Sequence, residues 1–276
     1  MKVRVLIGVV LIAALIGILA LDGLLLRASF PWASAVVLWG LVTLAAFELF
    51  RMIAGRVPHL GVLPATVMTG SFVAVRILDL AVARIEIPPP LYAFALLSLV
   101  FLPEILWPRL ETAGLRVAGR LLGIVYLMPL TLLIDVGVLH GALTMGWLVL
   151  SIKGSDIGGF LAGKLIGGVG LAPRVSPKKT VAGLCGGLVL TTAATVAGRG
   201  LLDPPPSPLT IVVFGVVLGL AGPLGDLSES VLKRSFGVKD SAVLLGDAGG
   251  ALDLLDSLVL SVPVGYLFLV HVFPTV

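Results

Sequence analysis

Long apolar runs dominate the hydrophobic pattern of this 276-residue chain. Most of them approach the length that a helix needs to cross a bilayer, and they end at clusters of charged residues, Gly or Pro. The pattern therefore predicts an all-α, polytopic membrane protein with about nine transmembrane helices. The predicted spans are Val3–Leu21, Pro31–Phe50, Leu60–Ala83, Pro89–Trp107, Leu121–Val138, Gly141–Ala162, Thr180–Ala197, Pro208–Gly222 and Leu252–Phe273.

The composition agrees with a membrane environment. Hydrophobic residues make up 58% of the chain and charged residues only 12%, whereas an ordinary soluble domain has about 25% charged residues. Cys185 is the single cysteine, so no intramolecular disulfide can form. We expect one integral membrane domain over residues 1–276, with N-terminal spans in 1–140 and C-terminal spans in 141–276.

Basic residues alternate between the two predicted faces of the membrane. Of the 19 Lys and Arg residues, 14 fall on one face and three on the other. The positive-inside rule makes the richer face cytoplasmic, which predicts an inner-membrane protein whose polar C-terminal stretches face the cytoplasm. The net charge of +4 is then mainly an orientation signal and does not indicate nucleic acid binding. The oligomeric state stays open, and a homo-oligomer is one of the alternatives.

Five charged residues lie inside or near the ends of the N-terminal spans. Arg76 and Asp79 are three residues apart on one helix face, so we expect them to neutralise each other rather than to act in catalysis. Glu48, Glu104 and Asp135 lie nearer to span ends, where we expect their side chains to reach toward the interface.

The C-terminal half contains two polar stretches, from Ser155 to Thr180 and from Gly225 to Ser257. Two predicted spans separate them, so both should open on the same membrane face. Together they supply carboxylates, cations and hydroxyls beside an otherwise apolar protein. This combination is typical of a site for a metal-bound phosphate substrate.

Helical spacing brings these polar residues into two stripes, since residues three and four apart are neighbours on a helix. Carboxylate oxygens suit Mg²⁺, which predicts a magnesium site where the stripes meet. The spacing alone equally allows acids and bases that pair on a solvated interfacial helix. The first stripe contains Asp226, Glu229, Ser230 and Lys233, and the second contains Asp253, Asp256 and Ser257.

Glycine-rich segments have a structural rather than a catalytic interpretation. The segment Gly158–Leu165 nearly matches a P-loop, but Leu165 replaces the hydroxyl that binds magnesium and no strand is predicted before it. Two pairs of glycines have the small-xxx-small spacing that lets helices pack closely. These pairs are Gly183 with Gly187 and Gly215 with Gly219.

The C-terminal motifs resemble the phosphatidate cytidylyltransferase (CDP-diacylglycerol synthase) family. The matching motifs are S-V-L-K-R-S-F-G-V-K-D-S-A-V-L-L-G from Ser230, G-G-A-L-D-L-L-D from Gly249, and G-D-L-S-E-S from Gly225. Upstream, Asp156 with a following G-K-x-x-G, and L-A-P-R-V-S-P-K-K-T from Leu171, are also similar. The N-terminal spans resemble the family only in being hydrophobic.

The resemblance implies a divergent member of a family of multi-span, CTP-dependent nucleotidyltransferases. Its members join CTP and phosphatidate into CDP-diacylglycerol, release pyrophosphate and depend on Mg²⁺, with membrane lipid around them. It assigns the catalytic and metal-binding roles to Asp226, Asp253 and Asp256, with Asp156 as a further metal ligand. The substrate-binding residues implied by the resemblance are Ser176, Lys178, Lys179, Ser230, Lys233, Arg234, Lys239 and Asp240.

The chain departs from the family pattern at three positions. Ala182, Ala248 and Leu254 stand where the family has Glu, His and Arg, so three polar contacts to nucleotide, phosphate or metal are replaced by apolar side chains. Two alternatives therefore stay open beside the cytidylyltransferase. One is a divergent enzyme acting on another lipid phosphate, and the other is a non-catalytic relative or membrane transporter.

Overall fold

The protein is mostly helical in the computed structural model, which describes residues 13–14, 16–25, 30–82, 89–239, 241 and 250–272. Short helical turns lie at Leu21–Leu25, Met128–Thr131 and Arg199–Leu201. The main elements are α1 (Trp32–Ala54), α2 (Val62–Val82), α3 (Pro89–Leu106), α4 (Leu110–Leu127), α5 (Leu132–His140), α6 (Ala142–Leu165), β1 (Gly170–Ala172), β2 (Ser176–Thr180), α7 (Val181–Ala197), α8 (Pro208–Ser235) and α9 (Ala251–Val272).

Six helical segments of the described chain are long and apolar enough to cross a membrane. The predicted count of about nine is not confirmed. Most of the first predicted span lies outside the described residues, and α3 contains only a shorter apolar segment, Phe94–Leu106. The six segments are Trp32–Ala54, Val62–Val82, Leu110–His140, Val181–Leu201, Pro208–Ser235 and Ala251–Val272.

Helix α6 forms where the sixth span was predicted, but it is not among those six segments. It contains Lys153, Asp156 and Lys164, which lower its hydropathy. Helix α6 packs against α7 and also contacts α9. A helix with polar residues at this position is suited to line a site.

Helices α1 and α9 lie in contact at the core, where Val42, Leu49 and Val262 are fully buried. Glu48 of α1 accepts hydrogen bonds from the backbone N–H groups of Ala251 and Leu252, at 3.2 and 2.9 Å. These groups have no partner inside α9 because they belong to its first turn. Glu48 therefore fixes the beginning of α9, although the two residues in contact are about 200 positions apart in the chain.

The expectation that Glu48, Glu104 and Asp135 reach toward the interface was wrong. Glu48 is 1% exposed. Glu104 pairs with Arg116 and Arg120, and Asp135 lies 2.5 Å from Arg76. Each acid instead has at least one partner within the protein, which offsets the cost of burying its charge. The predicted pairing of Arg76 with Asp79, at 2.9 Å, is confirmed.

A short two-stranded antiparallel hairpin interrupts the helices of this otherwise mostly helical chain. Strand β1 pairs with β2, with Gly170 opposite Thr180 and Ala172 opposite Ser176. Gly167 and Gly168, which lead into the hairpin, have positive φ angles of 67° and 99°, a conformation that glycine adopts without strain. The S-P-K-K-T segment thus forms an extended strand instead of continuing a helix.

Close glycine contacts hold α6, α7 and α8 together. A Cβ on Gly183 would lie 2.9 Å from the Gly159 carbonyl oxygen, and one on Gly187 would lie 2.8 Å from that of Ser155. A Cβ on Gly219 would lie 3.3 Å from the Cα of Leu188. The predicted close packing is confirmed. The Gly158–Leu165 segment lies within α6, so it forms no phosphate-binding loop.

Candidate functional site

A cleft of about 380 Å³ opens between α6, the hairpin, α7, α8 and α9. This volume is within the usual range for small-molecule sites, about 300 to 1,000 Å³. Both polar stretches predicted to share a membrane face contribute to its walls. The polar residues lining it are Ser155, Asp156, Lys178, Lys179, Thr180, Asp226, Asp253 and Asp256.

Three carboxylates cluster at the base of the cleft. Oxygens of Asp226, Glu229 and Asp256 lie within 4.8 Å of one another. Asp226 and Glu229 are three residues apart on α8, so they share a helix face, and Asp256 approaches from α9. The approach is close because Gly225 has no side chain, which leaves its Cα against the Asp256 backbone.

Three lysines surround these acids. Lys179 of β2 lies 2.5 Å from Asp226. Lys233, 6% exposed, contacts both Glu229 and Asp253. The hairpin therefore supplies a cation on one side of the cluster, and α8 supplies one on the other.

Lys153 of α6 is the third lysine. Its ammonium group donates to Asp156 and to the Ser257 hydroxyl, both at 2.9 Å, and that hydroxyl donates to Asp156 at the same distance. These contacts join α6 to the start of α9 beside the cleft. The sequence interpretation placed Lys153 within a span and missed this role, for which its i, i+3 spacing to Asp156 was the available signal.

Asp256 differs from the other acids of the site. It is 7% exposed, and the described residues place no cation within 4.0 Å of its carboxylate. Its Oδ1 accepts from the Ser257 backbone N–H at 2.5 Å. A buried carboxylate without a cation beside other acids is suited to bind one.

The donor set at the base of the cleft fits Mg²⁺. Asp226 and Asp256 both line the cleft and present hard carboxylate oxygens, which Mg²⁺ prefers. Glu229, 2% exposed and 2.8 Å from Lys233, lies behind them. Asp156 also lines the cleft, but one of its oxygens is engaged by Lys153 and Ser257.

Asp253 also lines the cleft, but it does not belong to the cluster formed by Asp226, Glu229 and Asp256. One of its oxygens accepts from the Gly250 backbone N–H and the Ser241 hydroxyl, both at 2.7 Å, and the other contacts Lys233. Asp253 thus caps α9 and positions Lys233. Its geometry favours a positioning role over the metal-binding role that the resemblance implies.

The remaining predicted substrate-binding residues divide into two groups. Lys178 and Lys179 line the cleft. Ser176 begins β2, Ser230 is partly buried on α8, and Arg234 and Lys239 are exposed. None of these four is among the residues that line the cleft. Asp240 lies outside the described residues, as does Ala248. Of the cations implied by the resemblance, the two lysines of the hairpin are thus the ones that line the cleft.

Six apolar helices of spanning length in the described chain, with a lysine-bordered acidic cleft beside them, indicate an integral membrane protein. A model of the Cytidylyltransferase family matches residues 2–272. The chain therefore belongs to this family.

Individual relatives align over a shorter stretch. "Uncharacterized protein YnbB" of Escherichia coli is 39% identical over 129 residues, covering 47% of this chain and 43% of the relative. "Phosphatidate cytidylyltransferase" of Chlamydia pneumoniae is 39% identical over 130 residues, covering 45% of this chain and 41% of the relative. The Brucella suis protein of that name is 40% identical over 131 residues, covering 46% of this chain and 47% of the relative. The match thus spans less than half the length of each relative.

Proposed function

We propose that this protein is a phosphatidate cytidylyltransferase, which converts CTP and phosphatidate into CDP-diacylglycerol and pyrophosphate. The observation that carries the proposal is the cleft in which Asp226 and Asp256 face Lys178 and Lys179. Membership of the Cytidylyltransferase family and relatives with that enzyme name support it.

The proposed reaction needs alignment and charge neutralisation more than a strong protein base. A phosphate monoester with a second pKa of about 6 is largely ionised at neutral pH. One of its oxygens attacks the α-phosphorus of CTP, a new P–O bond forms, and the bond to the bridging α–β oxygen breaks. The electron pair leaves with pyrophosphate, so no proton has to be removed from the nucleophile.

The lysines of the cleft have the charge and position to bind the triphosphate. Lys178 is exposed on β2, and Lys179 is partly buried and held by Asp226. Lys153 is fixed between Asp156 and Ser257 and adds positive potential from α6. Cations held in place before the substrate binds stabilise charge that moves toward the leaving group.

Mg²⁺ is the cofactor that we propose for this site, with Asp226 and Asp256 as its ligands and Asp156 as a further candidate. When bound, it would offset the negative charge of the phosphates and orient them. Glu229 and Lys233 hold the α8 face that presents Asp226. Asp253 holds the start of α9, from which Asp256 projects.

The proposed lipid substrate fits the location of the cleft at one end of apolar helices. The hydroxyl, lysine and carboxylate groups of the cleft lie where α8 leaves its apolar segment and where α9 begins. Phosphatidate has its phosphate at the membrane surface, so its head can reach the cleft while its chains stay in lipid. We propose that this face is cytoplasmic, in agreement with the distribution of Lys and Arg.

The decisive experiment incubates the purified chain with labelled CTP, phosphatidate and Mg²⁺ and measures labelled CDP-diacylglycerol. Wild type should form product with equimolar pyrophosphate. Asp256→Asn should lower the rate about 100-fold or more, equivalent to about 2.7 kcal/mol of transition-state stabilisation. Folded protein should persist, because the substitution nearly preserves side-chain size.

Asp79→Asn is the matched control, since it removes a carboxylate that is remote from the cleft and paired with Arg76. It should leave the Mg²⁺ requirement unchanged. Product from another lipid phosphate but not from phosphatidate would identify a divergent transferase. Absence of product from any lipid phosphate, with intact CTP binding, would contradict the proposed enzyme and favour a non-catalytic relative or transporter.

A further inference from the structure

A second cavity, of about 570 Å³, lies between the loop before α2, the end of α3 and the start of α4. We call it the arginine pocket. It is at the same end of the molecule as the end of α8, since Arg56 in the loop before α2 contacts Gly237. Its lining includes His59, Glu104, Trp107, Arg109, Arg116 and Arg120.

Positive charge exceeds negative charge among the residues that line this pocket. Arg116 and Arg120 are only 3% and 4% exposed at their side chains, and both pair with Glu104, which is 9% exposed. The side chain of Arg109 adds a third cation at the exposed rim. One carboxylate cannot balance the two covered guanidinium groups, so the pocket is suited to an additional anion.

The hydrogen bonds of the two covered arginines leave one nitrogen, the Nε of Arg120, without an acceptor in the described chain. Arg120 donates to the carbonyls of Val100 and Leu60, at 3.1 and 3.2 Å, and to Glu104 at 2.8 Å. Its buried Nε has no hydrogen-bond partner within the described chain. Arg120 is a lining residue of the cavity, so a covered guanidinium N–H without an acceptor lies beside space that an anion could enter.

The rest of the pocket wall is apolar and lies at the edge of the helices. Leu106 is 55% exposed and Trp107 is 71% exposed. Trp107 directly follows the apolar segment of α3, and tryptophan is typical of the level of lipid headgroups. An apolar wall beside fixed arginines favours an amphiphile with a phosphate head over a purely polar anion.

We propose that the arginine pocket binds the phosphate group of an anionic membrane lipid. The guanidinium group of Arg120 donates to the phosphate, Arg116 and Arg109 add positive charge beside it, and the chains of the lipid extend past Leu106 and Trp107. The site is separate from the cleft that contains Asp226 and Asp256. Its existence does not depend on the cytidylyltransferase activity.

Native mass spectrometry of the purified chain in neutral detergent tests this proposal by titration with phosphatidylglycerol or phosphatidylcholine. We expect wild type to bind phosphatidylglycerol at least tenfold more tightly than phosphatidylcholine. Arg120→Gln should weaken phosphatidylglycerol binding about tenfold. Arg51→Gln, which removes an exposed arginine, is the matched control and should leave the affinity unchanged.

Equal phosphatidylglycerol affinity in wild type and Arg120→Gln would overturn the proposal. Competition with inorganic phosphate distinguishes the source of the anion. If inorganic phosphate binds as tightly as the lipid does, the phosphate site stands and lipid as its occupant is wrong.

A second variant keeps the test independent of folding defects in Arg120→Gln. Glu104→Gln removes the carboxylate that competes for the guanidinium groups, so it should increase phosphatidylglycerol affinity several-fold. Unchanged or weaker binding in a folded Glu104→Gln protein would contradict the charge argument.

Discussion

Asp253 and Asp256 are three residues apart, yet their surroundings differ. Asp253 accepts from Gly250, Ser241 and Lys233, whereas Asp256 has no cation within 4.0 Å in the described chain. A carboxylate whose oxygens are engaged by fixed donors stabilises structure. A carboxylate left without a cation beside other acids is the better candidate for binding a substrate-associated ion.

This difference predicts separable effects of the two Asn substitutions. Asp253→Asn removes one of the two charge partners of Lys233, so it should lower the free energy of unfolding by roughly 1–3 kcal/mol and reduce activity in proportion to folded protein. Asp256→Asn should lower kcat strongly with little change in Tm. Thermal unfolding and product formation on the same preparations measure both effects, and the reverse pattern would contradict the assignment.

The two hairpin lysines should also differ. Lys179 is held 2.5 Å from Asp226, while Lys178 is exposed at the rim of the cleft. Lys179→Ala should raise the KM for CTP more than Lys178→Ala does, because the fixed cation is already aligned with the site. Steady-state kinetics over a range of CTP concentrations measures this difference. Equal small effects would indicate a general patch that attracts lipid headgroups.

At the level of elements, α9 begins where a residue of another helix accepts its first backbone N–H groups. Glu48 of α1 makes this contact while nearly fully buried. Because α9 presents both Asp253 and Asp256, the capping contact supports the geometry of the cleft from a distance.

Glu48→Ala should therefore destabilise the protein by about 1–3 kcal/mol, since it leaves buried N–H groups without an acceptor. Tm should fall, while the KM for CTP of the folded fraction should stay near the wild-type value. The control is Glu111→Ala, an exposed acid in the first turn of α4. A Glu48 variant as stable as the control would show that the contact is dispensable.

Glycines on α4 and α7 test the helix contacts with the same chemical change. Gly187→Ala places a Cβ 2.8 Å from the Ser155 carbonyl oxygen, so α6 and α7 must move apart and stability should fall by about 1–3 kcal/mol. Gly114→Ala meets nothing within 4 Å, so it should raise stability by about 0.5–1 kcal/mol. Thermal unfolding in one detergent compares the pair, and equal shifts would exclude close packing as the cause.

For the whole molecule, the alternation of basic residues predicts one orientation in the membrane. The hairpin and the end of α8 should face the cytoplasm, and the turn between α7 and α8 should face the other side. The cleft, the hairpin and the arginine pocket would then share the cytoplasmic surface.

Cysteines placed in a Cys185→Ala background test this orientation with an impermeant reagent. Ser176→Cys and Lys239→Cys should react only from the cytoplasmic side, and Asp203→Cys, between α7 and α8, only from the opposite side. Replacement of Cys185 is needed because its side chain is exposed. Labelling of Ser176→Cys from the outside alone would contradict the predicted topology.

The local sequence by itself determined the membrane class, most helix positions and the polar stretches of the site. Apolar runs of spanning length leave few alternatives to helices, because lipid offers no hydrogen-bond partners to the backbone. The spacing of Asp226 with Glu229 likewise follows from helical periodicity alone. The family motifs in the same stretches agree with the match over residues 2–272.

Only the tertiary structure decided which charges meet. Glu48 contacts α9 and Lys179 contacts Asp226 across large separations in the chain, and local periodicity contains no information on such pairs. The same holds for Glu104, whose position near a span end suggested exposure although Arg116 and Arg120 enclose it. Partners brought together by helix packing determine whether a membrane carboxylate is structural or available to a ligand, since burial without a partner is unfavourable.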